Sequence, residues 1–189
     1  MFWVKFIILQ LLTFYSVNTR AFSLDSNLFY QSDTLSTSTE SGSTKTFIDL
    51  SANLDLTKKG SFTIGFSYAT SAISDKISGT DTGYGLTEMG IRFGYFIDKD
   101  RSWGLFATYN LVVTGSYDDG SSEVEWRGGS YKIETGYRPM ISEVLAAGIH
   151  LVYHSATFSE ELASGSSYST VSYSRGLIYP AISISYRID

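Results

Sequence analysis

The 189-residue sequence contains no cysteine and only two prolines, Pro139 and Pro180. Without cysteine there is neither a disulfide scaffold nor a thiolate metal site. Beyond residue 21 no apolar run approaches eighteen residues, which excludes a chain that crosses a membrane with helices. A basic face is also missing: Lys and Arg number 14 against 19 Asp and Glu. Nucleic acid is therefore not an expected partner, because neutralising phosphates requires such a face. No Pro-rich or low-complexity linker divides the chain, so one domain is expected. There is no Gly-x-Ser-x-Gly elbow and no regular Asp spacing of a calcium loop. The sequence implies no cofactor and no metal ion.

The first residues differ from the rest. Met1 to Lys5 form a short, weakly positive start, Phe6 to Tyr15 an apolar run of ten, and Thr19 with Ala21 place small residues where a signal peptidase reads. Residues 1–21 are read as a cleaved signal peptide, with residues 22–189 as the mature domain. Removing Lys5 and Arg20 leaves 12 basic against 19 acidic residues, a formal charge of 12 − 19 = −7.

What the mature chain has in abundance is alternation. Phe62, Ile64, Phe66 and Tyr68 recur at every second position, as do Met89, Ile91, Phe93 and Tyr95, and then Trp103, Leu105, Ala107, Tyr109, Leu111 and Val113. A period of two means strands with one apolar and one polar face. The polar face carries Gly, Ser, Thr and charge, and the apolar face ends in aromatic residues, as in strands that cross a bilayer tilted. Turn signals cut the chain into eight segments, 22–36, 44–57, 61–75, 84–98, 102–117, 122–138, 143–158 and 168–188. The expected fold is all-β: an eight-stranded antiparallel up-and-down transmembrane β-barrel, with turns at 57–60, 98–101 and 139–142 on the periplasmic side. One segment changes phase. Val124 and Trp126 lie on even positions while Tyr131, Ile133 and Tyr137 lie on odd ones, and Gly128-Gly129 between them favours a bulge over a stretch standing above the membrane.

Assigning the apolar face to lipid fills the lumen with charge. Parity puts Asp49, Asn53, Asp55, Glu88, Arg92, Lys132, Glu134, Arg138, His150, His154, Arg175, Tyr179 and Arg187 inside. Eight strands enclose a space only wide enough for side chains, so mixed signs predict a hydrogen-bonded polar network that plugs the barrel. Its expected members are Asp49, Glu88, Arg92, Lys132, Glu134, His150, His154 and Arg175. Phe29, Phe47, Phe106 and Val112 also face inward by parity and could line an apolar pocket. The two histidines are four residues apart on one strand, roughly 13 Å between Cα atoms, so they cannot by themselves share a metal ion. His154 is followed by Ser155, which points to the opposite face of a regular strand, so the two cannot form a nucleophile and base. No catalytic residue is assigned. On the outer face, Ala107 and Ala147 are small and Pro180 cannot donate a ladder hydrogen bond, so these three mark either lipid contact or a self-association surface.

The signal-like start, the eight alternating segments and the closing run Leu177-Ile178-Tyr179-Pro180-Ala181-Ile182-Ser183-Ile184-Ser185-Tyr186-Arg187-Ile188 together resemble the small bacterial outer-membrane barrels, the group of OmpX, the OmpA transmembrane domain and the OmpW-like proteins. That resemblance implies an outer-membrane location, lipid as the surroundings, and a non-enzymatic role in envelope structure or surface and lipid interaction, with self-association as a variant. The OmpW-like members imply an alternative, a small channel or carrier for hydrophobic or small solutes. A second alternative is lipid modification. The lipid A deacylases are similar in size but carry His-x-Ser on one strand, where this chain has His154-Ser155-Ala156.

Overall fold

The computed structural model describes residues 21–35, 41–57, 61–77, 80–163 and 167–188; the signal-peptide reading falls on residues 1–20, outside the described residues. Eight strands follow one another in chain order: β1 (Phe22–Leu35), β2 (Ser41–Asp55), β3 (Phe62–Ile77), β4 (Thr80–Phe96), β5 (Trp103–Asp118), β6 (Glu123–Tyr137), β7 (Leu145–Ala163) and β8 (Ser169–Ile188). Each pairs antiparallel with its neighbour, and β1 pairs with β8 to close the ring. The expected eight-stranded antiparallel up-and-down barrel is the observed fold.

Alternation accounts for the facing. β4 and β5 bury every second residue over most of their length, while the residues between stay exposed. The exposed set is apolar, including Leu24, Leu50, Phe66, Phe93, Leu105, Ile133, Leu151, Ile178 and Ile184, and the buried set is largely polar or charged. Such an inside-out distribution suits a closed barrel in lipid, where every backbone group must find a partner within the wall. Followed through the register, Leu28 leads to Arg127 by way of β2 to β5 and to Tyr137 by way of β8 and β7. The two paths end 137 − 127 = 10 residues apart on β6, the stagger that tilts the strands of a closed barrel.

The irregularities fall elsewhere than the sequence suggests. β6 carries no phase flip: Trp126, Ser130, Lys132 and Glu134 all face inward on even positions. The extra residues lie on its neighbours. On β5 the register passes from Asn110 to Val113 against Ser130 and Gly128, so Leu111 and Val112 both face outward and Val113 turns in. Val112 is therefore not a lumen residue, being 54% exposed, and Val113 is not an outer one, at 2%. On β7 the register passes from Phe158 to Glu160 against Gly128 and Arg127. The glycine matters because β7 crosses close there: a Cβ on Gly128 would lie 1.8 Å from the Thr157 carbonyl oxygen.

The two ends of the barrel are built differently. At the end holding β1's start and β8's finish, tight turns fold under the wall. Asp98 accepts the amides of Ser102 (3.0 Å) and Trp103 (2.7 Å), and Arg101 takes a left-handed φ of 57°. Partial burial would raise the Asp98 carboxyl, but those amides outweigh it and hold it below the usual carboxylate range. At the opposite end the β5–β6 turn is fastened by Asp119, which accepts from Ser121 and Ser122, with Gly120 at φ 85°. The Ser121 hydroxyl and amide, with the Ser122 amide, lower its carboxyl to about 2.

Candidate functional site: the filled lumen

The lumen is filled in tiers. At the level of the tight turns, Arg138 (β6's continuation) donates to Asp25 on β1 at 3.3 Å and to Ser183 on β8 at 3.1 Å, and Asn53 on β2 donates to Asp25 at 3.2 Å. Arg101 reaches back from its turn to grip Asp55 with both nitrogens, at 2.7 and 2.9 Å. Arg187 in turn donates to the Arg101 carbonyl at 2.9 Å, and both guanidinium groups lie over the Phe96 ring. This end of the barrel is closed by paired charge.

The middle tier gathers seven of the eight expected polar residues. Arg92 on β4 and Glu134 on β6 form a two-pronged pair, one contact being 2.9 Å, and both side chains are fully buried. Asn27 donates to Glu134 at 2.9 Å, and His150 Nδ1 lies 3.5 Å from the same carboxylate oxygen. Lys132 pairs with Asp49, which also accepts from Ser67 at 2.8 Å and faces Arg92 at 4.0 Å. His154 Nε2 lies 2.8 Å from Glu88 Oε1, and that oxygen also accepts from Ser130. Phe106 is not part of an apolar pocket: its ring is sandwiched between Arg92, 4.5 Å from centroid to guanidinium carbon, and the stacked imidazole of His150 at 5.4 Å. Across the first two tiers five carboxylates, Asp25, Asp49, Asp55, Glu88 and Glu134, face five cations, Arg92, Arg101, Lys132, Arg138 and Arg187. Charges balanced this way can stay ionised away from water.

Arg175 does not join this network. It sits in the outer tier over the Tyr84 ring at 4.2 Å. That tier is aromatic. Trp126 stacks on Tyr117 at 5.3 Å and packs against Phe158 at 5.0 Å, Tyr84 at 5.9 Å and Tyr173 at 5.7 Å, while its indole N–H donates to Glu161 at 2.8 Å. A second aromatic group, Phe29, Phe47 and Tyr179, lies beside β1 and β8, with Phe47 and Tyr179 stacked at 4.4 Å.

The geometry bears on chemistry. His154 is buried in the lumen while Ser155 sits on the other face of β7. Ser130 and His154 both bond one oxygen of Glu88, so the serine hydroxyl donates to the carboxylate and not to the imidazole. A nucleophile needs its base on the hydroxyl itself. Each histidine is held by its own carboxylate, His150 by Glu134 and His154 by Glu88, as in a structural polar network.

Some network members carried little sequence signal. Asp25 and Asn27 lie on the weakly alternating β1, and Ser130 follows the glycine pair. Arg101 belongs to a turn, where alternation says nothing about direction. On the outer face, Ala107, Ala147 and Pro180 do not make one patch: Ala107 is in register through Ile133 with Tyr153, six residues from Ala147, and Pro180 pairs with Leu151.

No protein-family model matches the chain, and no curated protein matches it. Among solved structures it is similar to Neisserial surface protein A, known from a crystal structure, at 12% sequence identity and a TM-score of 0.48, covering 88% of this chain and 96% of that one.

Proposed function

We propose that this protein is a non-enzymatic barrel of the bacterial outer membrane, exported with a cleaved signal peptide, that serves envelope structure or surface and lipid interaction and conducts no solute along its axis. The observation that carries this reading is the paired charge of the middle tier. Arg92, Glu134, Asp49 and Lys132 meet across the lumen from β2, β4 and β6, so the charges that would line an axial path are engaged with one another. The aromatic tier supports it from the other end, with Trp126 walled in by rings. Outer-membrane lipid is the partner that the exposed apolar wall calls for.

The test is planar-bilayer recording on the purified full chain. The expected record is flat, without discrete single-channel steps, and reproducible steps of one amplitude would overturn the reading. Mass measurement in mild detergent tests the self-associating variant. A stable dimer or ring would turn Ala107, Ala147 or Pro180 from lipid-facing wall into interface.

A further inference from the structure

One wall differs from the other seven. β1 and β2 pair over fourteen residues, Phe22 to Leu35, whereas β1 and β8 pair over seven, from Phe22↔Ile188 to Leu28↔Ile182. Past that point β1 continues to Leu35 paired with β2, and β8 extends back to Ser169 paired with β7, with no pairing between them among the described residues. Continuing the register would set Tyr30 opposite Pro180, and a proline has no N–H to give to the ladder. The split therefore opens where the sequence removes a donor. Tyr30 and Tyr153, the latter paired with Ile178, face outward beside it, and tyrosine favours the boundary between hydrocarbon and headgroups.

Behind the split is a cavity of about 10 Å³, room for one water-sized group. Phe29, Phe47 and Tyr179 form its apolar side, with Phe29 touching Tyr179 across the seam at 5.3 Å. Asn27 and Ser71 stand on its polar side with Asp49, Glu88, Lys132 and His154. Asn27 Oδ1 and Ser71 Oγ are buried without a hydrogen-bond partner, although both residues are more than nine-tenths buried. Leaving such atoms unpaired costs on the order of 1–3 kcal/mol each. On the axial side the paired Asp49, Lys132 and Glu88 stand on the cavity lining, which favours entry through the split wall.

We propose that the upper β1–β8 seam is a lateral port for a single-chain amphiphile with a small, neutral, hydrogen-donating head, a long-chain alcohol or primary amide. This rests on the membrane reading above. The head enters at the tyrosine level and donates to Asn27 Oδ1, with Ser71 Oγ as a second partner. The tail stays outside along Leu28 and Ile182, both exposed on the outer wall. Phe29, on the stretch of β1 that pairs with β2 but not with β8, is the ring that swings aside. An ionised carboxylate head fits poorly, since it has no donor for Asn27 Oδ1, and Lys132 and His154 on the lining are already paired with Asp49 and Glu88.

The chain has no cysteine, so one introduced thiol reports alone. Ala69 lines the cavity without contributing a polar atom, and Ala146 is a fully buried comparison site away from it. The full chain carrying Ala69→Cys, folded into phosphatidylcholine vesicles, is expected to react with lipid-soluble N-ethylmaleimide at least tenfold faster than Ala146→Cys. 1-Dodecanol should slow that reaction at least fivefold, while dodecanoate at neutral pH and dodecane should not. Adding Ser71→Ala should weaken the protection at least twofold by removing the second partner, since the Ser71 hydroxyl holds no other. Val152→Cys, also on the lining, is to show the same pattern if Ala69→Cys does not fold.

Equal rates at the cavity and comparison sites, or equal slowing by dodecane, would overturn the proposal. So would a rate that falls with protein density in the absence of dodecanol, which would put a second copy at the seam. A charged, membrane-impermeant thiol reagent reaching Ala69→Cys as fast as the maleimide would mean an axial path. That result, accompanied by conductance steps, marks failure of the plugged-lumen reading. Slow charged reagent together with no dodecanol protection marks failure of the port alone.

Discussion

The middle and outer tiers occupy the same tube yet are filled by opposite means. Around Arg92, Glu134, Asp49 and Lys132 the filling is directional: each cation faces a named carboxylate, and moving one group leaves another charge buried. Around Trp126, Tyr84 and Phe158 it is largely non-directional, with ring contacts at 5.0 to 6.3 Å and few hydrogen bonds. Paired charge tolerates loss of one partner badly, whereas ring packing loses area in proportion to what is removed. The two halves of this barrel should therefore respond differently to mutation, and the β1–β8 split lies beside the softer one.

The sharpest way to break the comparison is to orphan one charge. Arg92→Ala leaves Glu134 and Asp49 facing an empty centre and should cost about 3–5 kcal/mol of unfolding free energy, while replacing both Arg92 and Glu134 by methionine should recover most of that. Urea unfolding in detergent micelles, followed by tryptophan fluorescence, measures both, and a single-variant loss below about 1 kcal/mol would abolish the distinction between the tiers. In the outer tier Phe158→Ala should cost about 3 kcal/mol by the same measurement, and its loss should add to that of Arg92→Ala instead of coupling to it.

A backbone probe comes next. Gly128→Ala forces a Cβ against the Thr157 carbonyl and should cost about 1–3 kcal/mol, as overpacking does, with faster amide exchange confined to β6 and β7 near that point. Exchange spreading instead into the middle tier would show that the two tiers are mechanically one. The smallest effect belongs to the β5–β6 turn. Because the Asp119 carboxyl is depressed in the folded chain, its contribution is fully present above the ordinary aspartate value of about 3.9 and is lost as pH falls through about 2. Protection of the Ser121 and Ser122 amides against exchange should fall over that window in the native chain, and Asp119→Ala should remove the pH step and leave those amides weakly protected at neutral pH as well.

Much of this was readable in the chain before any coordinates. Alternation, strictest in β3, β4 and the first half of β5, told inside from outside, and the residues it placed in the lumen from β2, β4, β6 and β7 include Asp49, Glu88, Arg92, Lys132, Glu134, His150 and His154. Parity failed at Val112 and Val113 because it is a local rule, and a single extra residue inverts it. The visible phase change in β6 pointed at the right place on the wrong strand. A mismatch in length between neighbours can be absorbed by either of them, and here β5 and β7 took the extra residues while Gly128 allowed β7 to come close. Arg175 faces inward as parity requires, but height along the strand put it among rings instead of carboxylates.

The sequence by itself determined the strands, their number and which face of each meets apolar surroundings, because side-chain direction in a strand follows from covalent geometry with a period of two. It also determined where the closing seam loses a donor, since Pro180 lacks an N–H in any fold. Only the tertiary structure decided which charges meet. Register and the ten-residue stagger of closure fix the height of every side chain, and those heights pair Glu134 with Arg92 across the lumen, set Glu88 between Ser130 and His154, and end the β1–β8 ladder at Leu28 and Ile182. Such contacts span residues tens of positions apart, and no local pattern encodes the distance between them.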